Sequence, residues 1–268
     1  MGKKQDVLLE LFRECQKRGD FGFDNDMVEA ICRRVGFKNK FDVTKLDNIN
    51  LLPPELRKQN YAIIHKGRGK HQFVQGIEQI YHRFEPVESE TTWPYRKSLL
   101  NEYNSSEANV LSIANNQRIL HHFLFGLDVE FETLDISERP KTYFPHRTKA
   151  DLRYRVGEQE VQLDRVQIEI DLTIEYQGII GVFEAKNGRP ETFSIYQLYH
   201  PFLYYYKAKT EFGLGEKIRE IIGVYVVRRK EQGISVLSLW AYSFDEPLDM
   251  TSIRLLRSRT YRLERKND

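Results

Sequence analysis

The chain has 268 residues with a formal net charge of +2; 40% of the residues are apolar and 30% are charged. No run approaches the roughly 18 consecutive apolar residues that a membrane-spanning helix needs, and 16 Phe, 15 Tyr and 2 Trp supply too much core material for a largely disordered chain. Because Cys15 and Cys32 are the only cysteines, neither a disulfide framework nor a paired-cysteine zinc site is expected.

The charge is unevenly distributed along the chain. Residues 1–85 carry 16 Lys and Arg against 12 Asp and Glu, and residues 251–268 carry 6 against 2, whereas residues 86–250 carry 19 against 25. This distribution is consistent with two basic terminal segments that bind a polyanion, on either side of an acidic central segment that binds a metal. Ordinary fluctuation of solvated surface charge fits equally well.

The start of the chain is polar and amphipathic, which predicts no signal peptide, so we expect a cytoplasmic protein with no membrane partner. Apolar residues at helical spacing predict helices over 4–18 and 26–34, and β-rich runs around a basic turn predict a hairpin over 61–74. This order is that of a winged helix-turn-helix, whose hairpin meets DNA. A plain α+β scaffold that contains a hairpin fits the same order.

The pattern changes after residue 85. The polar stretch 85–98 is predicted to be a linker, and Ser105 is predicted to cap a long helix over 105–124. Strands, a helix and further strands follow, and the runs that predict them are 151–156, 160–163, 166–174, 179–185, 194–209, 221–227 and 236–242. We therefore predict an α/β (α+β) fold, with an N-terminal mostly helical, possibly winged-helix module over 1–85 and a mixed sheet flanked by helices over 86–268.

Two neighbouring strands carry the informative polar residues. Glu169 and Asp171 share one face of the first strand, and Glu184 and Lys186 share one face of the next. A short connection joins these strands, so we expect an antiparallel pair that brings acids and a lysine together at one end of a largely buried sheet. A bare charge in such a place is costly unless it is paired or coordinates a metal.

This cluster suits metal-assisted hydrolysis of phosphodiesters. Asp171 and Glu184 offer the hard oxygen ligands that Mg²⁺ prefers. The metal would lower the pKa of a bound water and offset the charge that builds on the phosphorane. Lys186 is placed to orient or deprotonate that water, or to stabilise the negative charge. The alternative is a structural network of acids and lysine, or charge that protects an edge strand.

Asp171, Glu184 and Lys186 in this setting resemble the signature of PD-(D/E)XK nucleases, with Ile170 in the variable position that is often proline. The sequences of residues 183–188 and 197–201 are most similar to those of type II restriction endonucleases. The resemblance covers residues 105–230 well and residues 1–85 poorly. It implies a restriction-endonuclease-like mixed sheet flanked by helices.

The resemblance also implies a set of site residues. Asp171 and Glu184 would hold one or two Mg²⁺ per active site, the backbone carbonyl of Ala185 would be a further ligand, and Lys186 would be catalytic. Glu107 would assist the metal from the helix before the sheet.

Two assignments stay open at this stage. Glu169 is the alternative to Asp171 as a ligand, if the strand reaches the site earlier. For Glu107, the alternative to a metal role is interaction with the dipole of its own helix.

Several further residues are candidate DNA contacts. They are the cations of the N-terminal module and one glutamine on the helix after the Glu-x-Lys strand: Lys38, Lys40, Lys66, Arg68, Lys70 and Gln197. The cations would supply phosphate contacts that position the protein on DNA.

The residues and the resemblance together predict a type II restriction endonuclease that cuts both strands of double-stranded DNA at a short specific sequence. Cutting antiparallel strands needs two sites, so a homodimer is expected, and the resemblance implies a cognate DNA methyltransferase in the same system. A structure-specific repair or processing nuclease, a non-catalytic winged-helix DNA-binding protein, and an α/β scaffold with a surface charge network are the alternatives.

Overall fold

The structure is a computed structural model, and it describes residues 2–95, 106–127, 130–188 and 190–265. The N-terminal part joins helices to a three-stranded antiparallel sheet in the order β1–β3–β2. Its elements are α1 (Lys3–Arg18), β1 (Gly22–Asp24), α2 (Asn25–Val35), α3 (Pro54–Lys58), β2 (Tyr61–His65) and β3 (Lys70–Gln75). The two predicted helices and the predicted hairpin are confirmed.

Local chemistry explains where these helices form. α2 begins where Asp24 Oδ1 accepts a hydrogen bond of 2.9 Å from the backbone N–H of Met27, which has no partner within the helix. Leu8, Leu11 and Phe12, at helical spacing, give α1 a fully buried face.

The rest of the chain supplies most of the strands. They are β4 (Tyr81–Arg83), β5 (Glu90–Tyr95), β6 (Lys141–Tyr143), β7 (His146–Val156), β8 (Gln159–Ile170), β9 (Leu172–Tyr176), β10 (Ile179–Asn187), β11 (Thr192–Ser194), β12 (Glu220–Glu231), β13 (Ile234–Phe244) and β14 (Ile253–Arg265). The helices are α4 (Glu107–Asn116), α5 (Ile119–Phe125), α6 (Glu130–Thr133) and α7 (Tyr196–Glu211). In the described ranges, no helix is long and apolar enough to cross a membrane.

Seven strands form one mixed sheet in the order β5–β14–β13–β12–β10–β9–β6. The pairs β10–β12 and β14–β5 are parallel, and the other neighbours are antiparallel. α4 and α5 cover one face, where Leu120 and Phe123 pack on Phe183 and Val224. α7 covers the other face. The prediction of a mixed sheet flanked by helices is therefore confirmed.

The local predictions over 85–98 and 105–124 were wrong. Part of the stretch 85–98, predicted as a linker, forms the edge strand β5, while residues 96–98 lie outside the described residues. The predicted helix over 105–124 is two helices, because Arg118 adopts a left-handed conformation with φ 61° between them. The predicted cap Ser105 also lies outside the described residues, and Ser106 Oγ accepts the bond from the N–H of Asn109.

The strand predicted over 166–174 is divided at Asp171. β8 ends at Ile170 and pairs with β7 in a separate two-stranded ribbon, whereas β9 starts at Leu172 and joins the main sheet. One face of this ribbon is apolar and packs on α7, with Leu152 and Ile168 in the same core as Tyr199.

The N-terminal part and the rest of the chain share one hydrophobic core, which includes Phe12, Ile64 and Ile80 together with Ile168 and Tyr199. β4 pairs with β11, and the backbone of the β2–β3 turn bridges that of β8. The division of the chain at residue 85 stays a prediction.

Two Gln-Gly turns in the main sheet differ only in their surroundings, which makes them a matched test of packing. Gln177-Gly178 joins β9 to β10 and Gln232-Gly233 joins β12 to β13, and all four residues have positive φ, as two-residue hairpin turns require. A Cβ at Gly178 would overlap the carbonyl oxygen of Lys217, whereas a Cβ at Gly233 meets nothing within 4 Å.

We expect Gly233→Ala to cost about 1–2 kcal/mol of unfolding free energy, since alanine resists the left-handed region. Gly178→Ala should cost roughly a further 1–3 kcal/mol for the overlap. Chemical denaturation of both variants measures the difference, and equal losses would contradict the packing argument.

Candidate active site

Glu184 and Lys186 lie on the same side of β10, near its C-terminal end. Their neighbours Phe183 and Ala185 are buried in the core on the opposite side, under α4 and α5. From Glu184 onward, β10 has a ladder partner on the β12 side only, because its pairing with β9 ends at Phe183. The strand thus carries charged side chains out of a buried sheet into a cleft.

Three carboxylates surround the ammonium group of Lys186. Its Nζ lies 3.0 Å from Glu184 Oε1, 3.1 Å from Glu107 Oε2 and 4.0 Å from Asp47 Oδ2. Burial by itself lowers the pKa of Lys186, but these carboxylates outweigh it and raise the pKa above that of an ordinary lysine. The lysine is therefore a fixed positive charge.

Glu184 is the most buried acid of the group, with 13% of its side chain exposed. Burial raises its pKa to about 8, against the opposing effect of Lys186, and Asp171 and Asp47 add to the rise. The side-chain amide of Gln197, on α7, donates a hydrogen bond of 2.9 Å to Glu184 Oε1, and the Tyr225 hydroxyl donates one of 3.4 Å to Gln197 Oε1. Gln197 and Lys186 thus both bind Glu184 Oε1.

Asp171 stands at the bend between β8 and β9. Leu172 pairs with Phe183 at the end of the antiparallel ladder. If this register is extended by one residue, Asp171 lies opposite Glu184. Glu169 lines the same cleft but is exposed and forms an ion pair of 3.1 Å with Arg147. Of the two alternatives, Asp171 is therefore the one that the register brings beside Glu184.

The sequence analysis missed Asp47, which belongs to the N-terminal part of the chain. Its backbone oxygen accepts a bond of 2.9 Å from the N–H of Ser194, and the N–H of Ile49 donates one of 3.0 Å to Thr192 Oγ1. These bonds tie the segment 47–49 to β11, beside the Glu-x-Lys strand. No local pattern signals such a contact, because the two segments are far apart in sequence.

A cleft of about 570 Å³ lies between the acid cluster, the β2–β3 hairpin and β8. Arg68 and Lys70 of the predicted DNA contacts line it, and so does Gln197. Lys66 and Lys38 do not line it, and neither does Lys40, which forms an ion pair with Glu29.

The basic hairpin turn does not project freely into solvent as a DNA-binding wing would. The backbone of Gly67 bridges that of Asp164, and Arg68 Nη2 lies 3.6 Å from Asp164 Oδ2. The turn is therefore part of the cleft wall.

Asp171 and Glu184 are the side chains of the cluster that could hold a divalent cation, with water or substrate completing its ligands. Four carboxyl groups, those of Asp47, Glu107, Asp171 and Glu184, share the positive charge of one lysine in a partly buried place, so added cations would relieve an excess of negative charge. Asp171 and Glu184 are a pair of the kind that Mg²⁺ accepts together with water and phosphate oxygens. In the part of the chain that the structure describes, no three His, Cys, Asp or Glu side chains are grouped so that they could hold a metal by themselves.

Neutral histidines form the apolar side of the cleft. His65 Nδ1 and His71 Nδ1 lie 3.0 Å apart, within hydrogen-bond distance across the hairpin. The Tyr154 hydroxyl lies 3.0 Å from His200 Nε2, in a buried contact. Burial lowers the pKa of His65 to about 4, and that of His71 and of His200 to about 3.

Fold and site together define a mixed α and β protein with acids and one lysine at the floor of a cleft. Residues 76–262 match the family model described as a domain of unknown function (DUF6997), and the chain belongs to this family. Residues 5–73 match a second model, also described as a domain of unknown function (DUF6996). No curated protein and no solved structure matches the chain.

The buried histidines predict a loss of stability in acid. The pKa of His200 is about 3 in the fold against 6.5 for an ordinary histidine, so the unfolded chain binds the proton first as the pH falls. His200 thus contributes stability above pH 6.5 that is lost progressively between about 6.5 and 3, at up to about 1.4 kcal/mol per pH unit. We expect His200→Gln to have a shallower decline of the unfolding free energy between pH 6 and pH 4. Denaturant titrations at several pH values measure this slope, and a slope equal to that of the parent protein would contradict the assignment.

Proposed function

We propose that this protein is a Mg²⁺-dependent type II restriction endonuclease with a restriction-endonuclease-like core, which hydrolyses both strands of double-stranded DNA at a short specific sequence. The observation that carries the proposal is the convergence of Glu184, Lys186, Glu107 and Asp171 at the end of β10, in a cleft with cations on its wall. An acidic floor suits metal ions, and cationic walls suit the phosphates that flank the scissile bond.

Each residue has a defined role in this proposal. Asp171 and Glu184 would hold Mg²⁺, which when bound supplies an activated water and compensates the charge of the phosphorane. Gln197 fixes the orientation of Glu184 through its bond to Oε1. Lys186 Nζ is a charged donor at the floor of the cleft, where it can orient the attacking water and stabilise a negative phosphoryl oxygen. Glu107 holds Lys186, and the carbonyl of Ala185 remains a proposed further ligand.

The remaining features belong to the same proposal. Cutting two antiparallel strands calls for two active sites, hence a homodimer, and a cytoplasmic enzyme of this kind works beside a cognate DNA methyltransferase. The succession α1–β1–α2–α3–β2–β3, with the sheet order β1–β3–β2, is the element order of a winged helix, but the turn of its hairpin packs on β8 and does not project as a free wing. Lys38, Lys40 and Lys66 would contact DNA from outside the cleft.

The direct test is digestion of a large, fully sequenced, unmethylated DNA. We expect discrete fragments with Mg²⁺ and none with EDTA, and a loss of roughly 10²–10³-fold in rate for Lys186→Ala, as for the removal of one charged donor. Because that variant leaves buried acids without their cation, Glu184→Gln is tested beside it as a neutral variant of the same shape. Lys217→Ala is the matched control, since Lys217 is exposed and precedes β12 at the opposite end of the sheet. Thermal unfolding establishes that each variant is folded.

The other outcomes separate the alternatives. A smear of products would retain the metal chemistry but move the role to repair or processing. DNA that is retarded in a gel but never cut would favour a non-catalytic DNA-binding protein. Intact DNA without binding at low salt would overturn the proposal and make the cluster a structural charge network.

Asp47 gives a second prediction. It is the carboxylate nearest to Lys186 from the N-terminal part, and loss of such an outer partner typically costs 10–100-fold in activity or metal affinity. We expect Asp47→Asn to lower the cleavage rate by about that factor. Asp42→Asn is the control, because Asp42 lies in the same connecting segment but pairs with Lys4, away from the cleft. Equal rates for the two variants would remove Asp47 from the site.

A further inference from the structure

The outer face of the β7–β8 ribbon is polar along its whole length. Side chains alternate between the apolar face against α7 and an exposed face, as they do in any strand with one side in the core. The exposed face carries the cations Arg147, Lys149, Arg153, Arg155 and Arg165, the acids Asp151, Glu160 and Glu169, and the amides Gln162 and Gln167. Within that face there is no aromatic side chain.

Three of these cations have no acidic partner among the described residues. Arg147 is paired with Glu169, and Arg155 lies near the carboxylates of Glu246 and Asp249. By contrast, Lys149 stands opposite Gln167 and Arg153 opposite Gln162 in the ladder, and the side chain of Arg165 makes no ion pair in the described part of the chain. With respect to the residues that the structure describes, these three cations are available to a ligand.

Arg165 occupies a backbone position that side chains usually avoid. The ladder shifts register between Ala150 and Leu152, so that Asp151 faces a β-bulge at Asp164 and Arg165. Arg165 has φ 47°, and Asp151 Oδ1 holds its N–H at 2.6 Å. Glycine would adopt this conformation without strain, yet the position carries an exposed arginine. Such strained positions cluster at ligand-binding sites, although the turn residues Gln177 and Gln232 of this chain also have positive φ.

The bulge places Arg165 among the residues that line the cleft of the candidate active site. Arg165, Gln167 and Glu169 all line that cleft, so the outer face of the ribbon continues its wall. Arg68 and Lys70 line it from the β2–β3 hairpin. A polyanion that crosses the acidic floor would therefore meet the cations of the ribbon as it leaves the cleft.

We propose that the outer face of the β7–β8 ribbon binds the backbone of duplex DNA, with Arg165 as the phosphate contact nearest to the site and Lys149 and Arg153 extending the contact along the ribbon. Side chains on one face of a strand recur about every 6.7 Å. This distance is about twice the ~3.4 Å axial spacing between phosphates along one DNA strand. A single strand would need aromatic platforms for its bases, which this face does not offer. The inference rests on the proposed function and names the surface that holds its substrate.

The test is binding to a short duplex, measured by fluorescence anisotropy in EDTA so that the DNA stays intact. Dissociation constants are determined between about 50 and 200 mM salt. For Arg165→Gln we expect about tenfold weaker binding at the lowest salt, and a slope of log K against log salt that is reduced by about 0.9. Lys149→Gln with Arg153→Gln should reduce the slope by about twice that amount. Lys217→Gln, which removes a charge at the far end of the sheet, should match the parent protein.

A second variant separates binding from folding. Arg165→Gly relieves the left-handed backbone and removes the cation, so we expect weaker DNA binding with a thermal midpoint no lower than that of the parent. If the parent binds and cuts DNA and the ribbon variants bind as well as Lys217→Gln, the inference is wrong while the proposed function stands. If the parent does not bind duplex DNA at low salt, the proposed function fails first, and the inference fails with it.

Discussion

The Lys186 ammonium group, held among carboxylates at the end of a buried strand, is the contact on which the rest of the site depends. Charge so close to a core is tolerated only where partners surround it. Those partners come from three separate places, since Glu184 lies on β10, Glu107 on α4 and Asp47 in the segment before α3. The need of the Lys186 charge for carboxylate partners therefore brings α4 and the distant segment before α3 to the same end of β10.

The floor and the wall of the cleft carry opposite charges. Its floor is acidic and its wall carries Arg68, Lys70 and Arg165, while the low pKa values of His65 and of the buried His200 keep both neutral. Such an arrangement would bind a phosphodiester only with counterions beneath it, because the floor alone repels anions. In the proposed function, metal dependence and affinity for a polyanion would both follow from this one charge distribution.

The sequence predicted most of what local pattern can specify. Alternating apolar residues with a short turn predicted the β9–β10 pair, whose ladder ends at Leu172 and Phe183, one residue before Asp171 and Glu184. The bend at Asp171 was not predicted, because apolar residues alternate with a period of two on both sides of it. β5 was taken for a linker because a polar edge strand carries no apolar signal, and no sequence window contains both Asp47 and Lys186.

The hydrogen bonds between segment 47–49 and β11 have a consequence for how the two family segments can change over evolutionary time. Ser194 and Thr192 lie within residues 76–262, whereas Asp47 and Ile49 lie within residues 5–73, so neither segment builds the cluster alone. A chimaera that joins the first segment of one relative to the second of another would have to preserve this junction. Inheritance of the two segments as a unit is what the geometry favours.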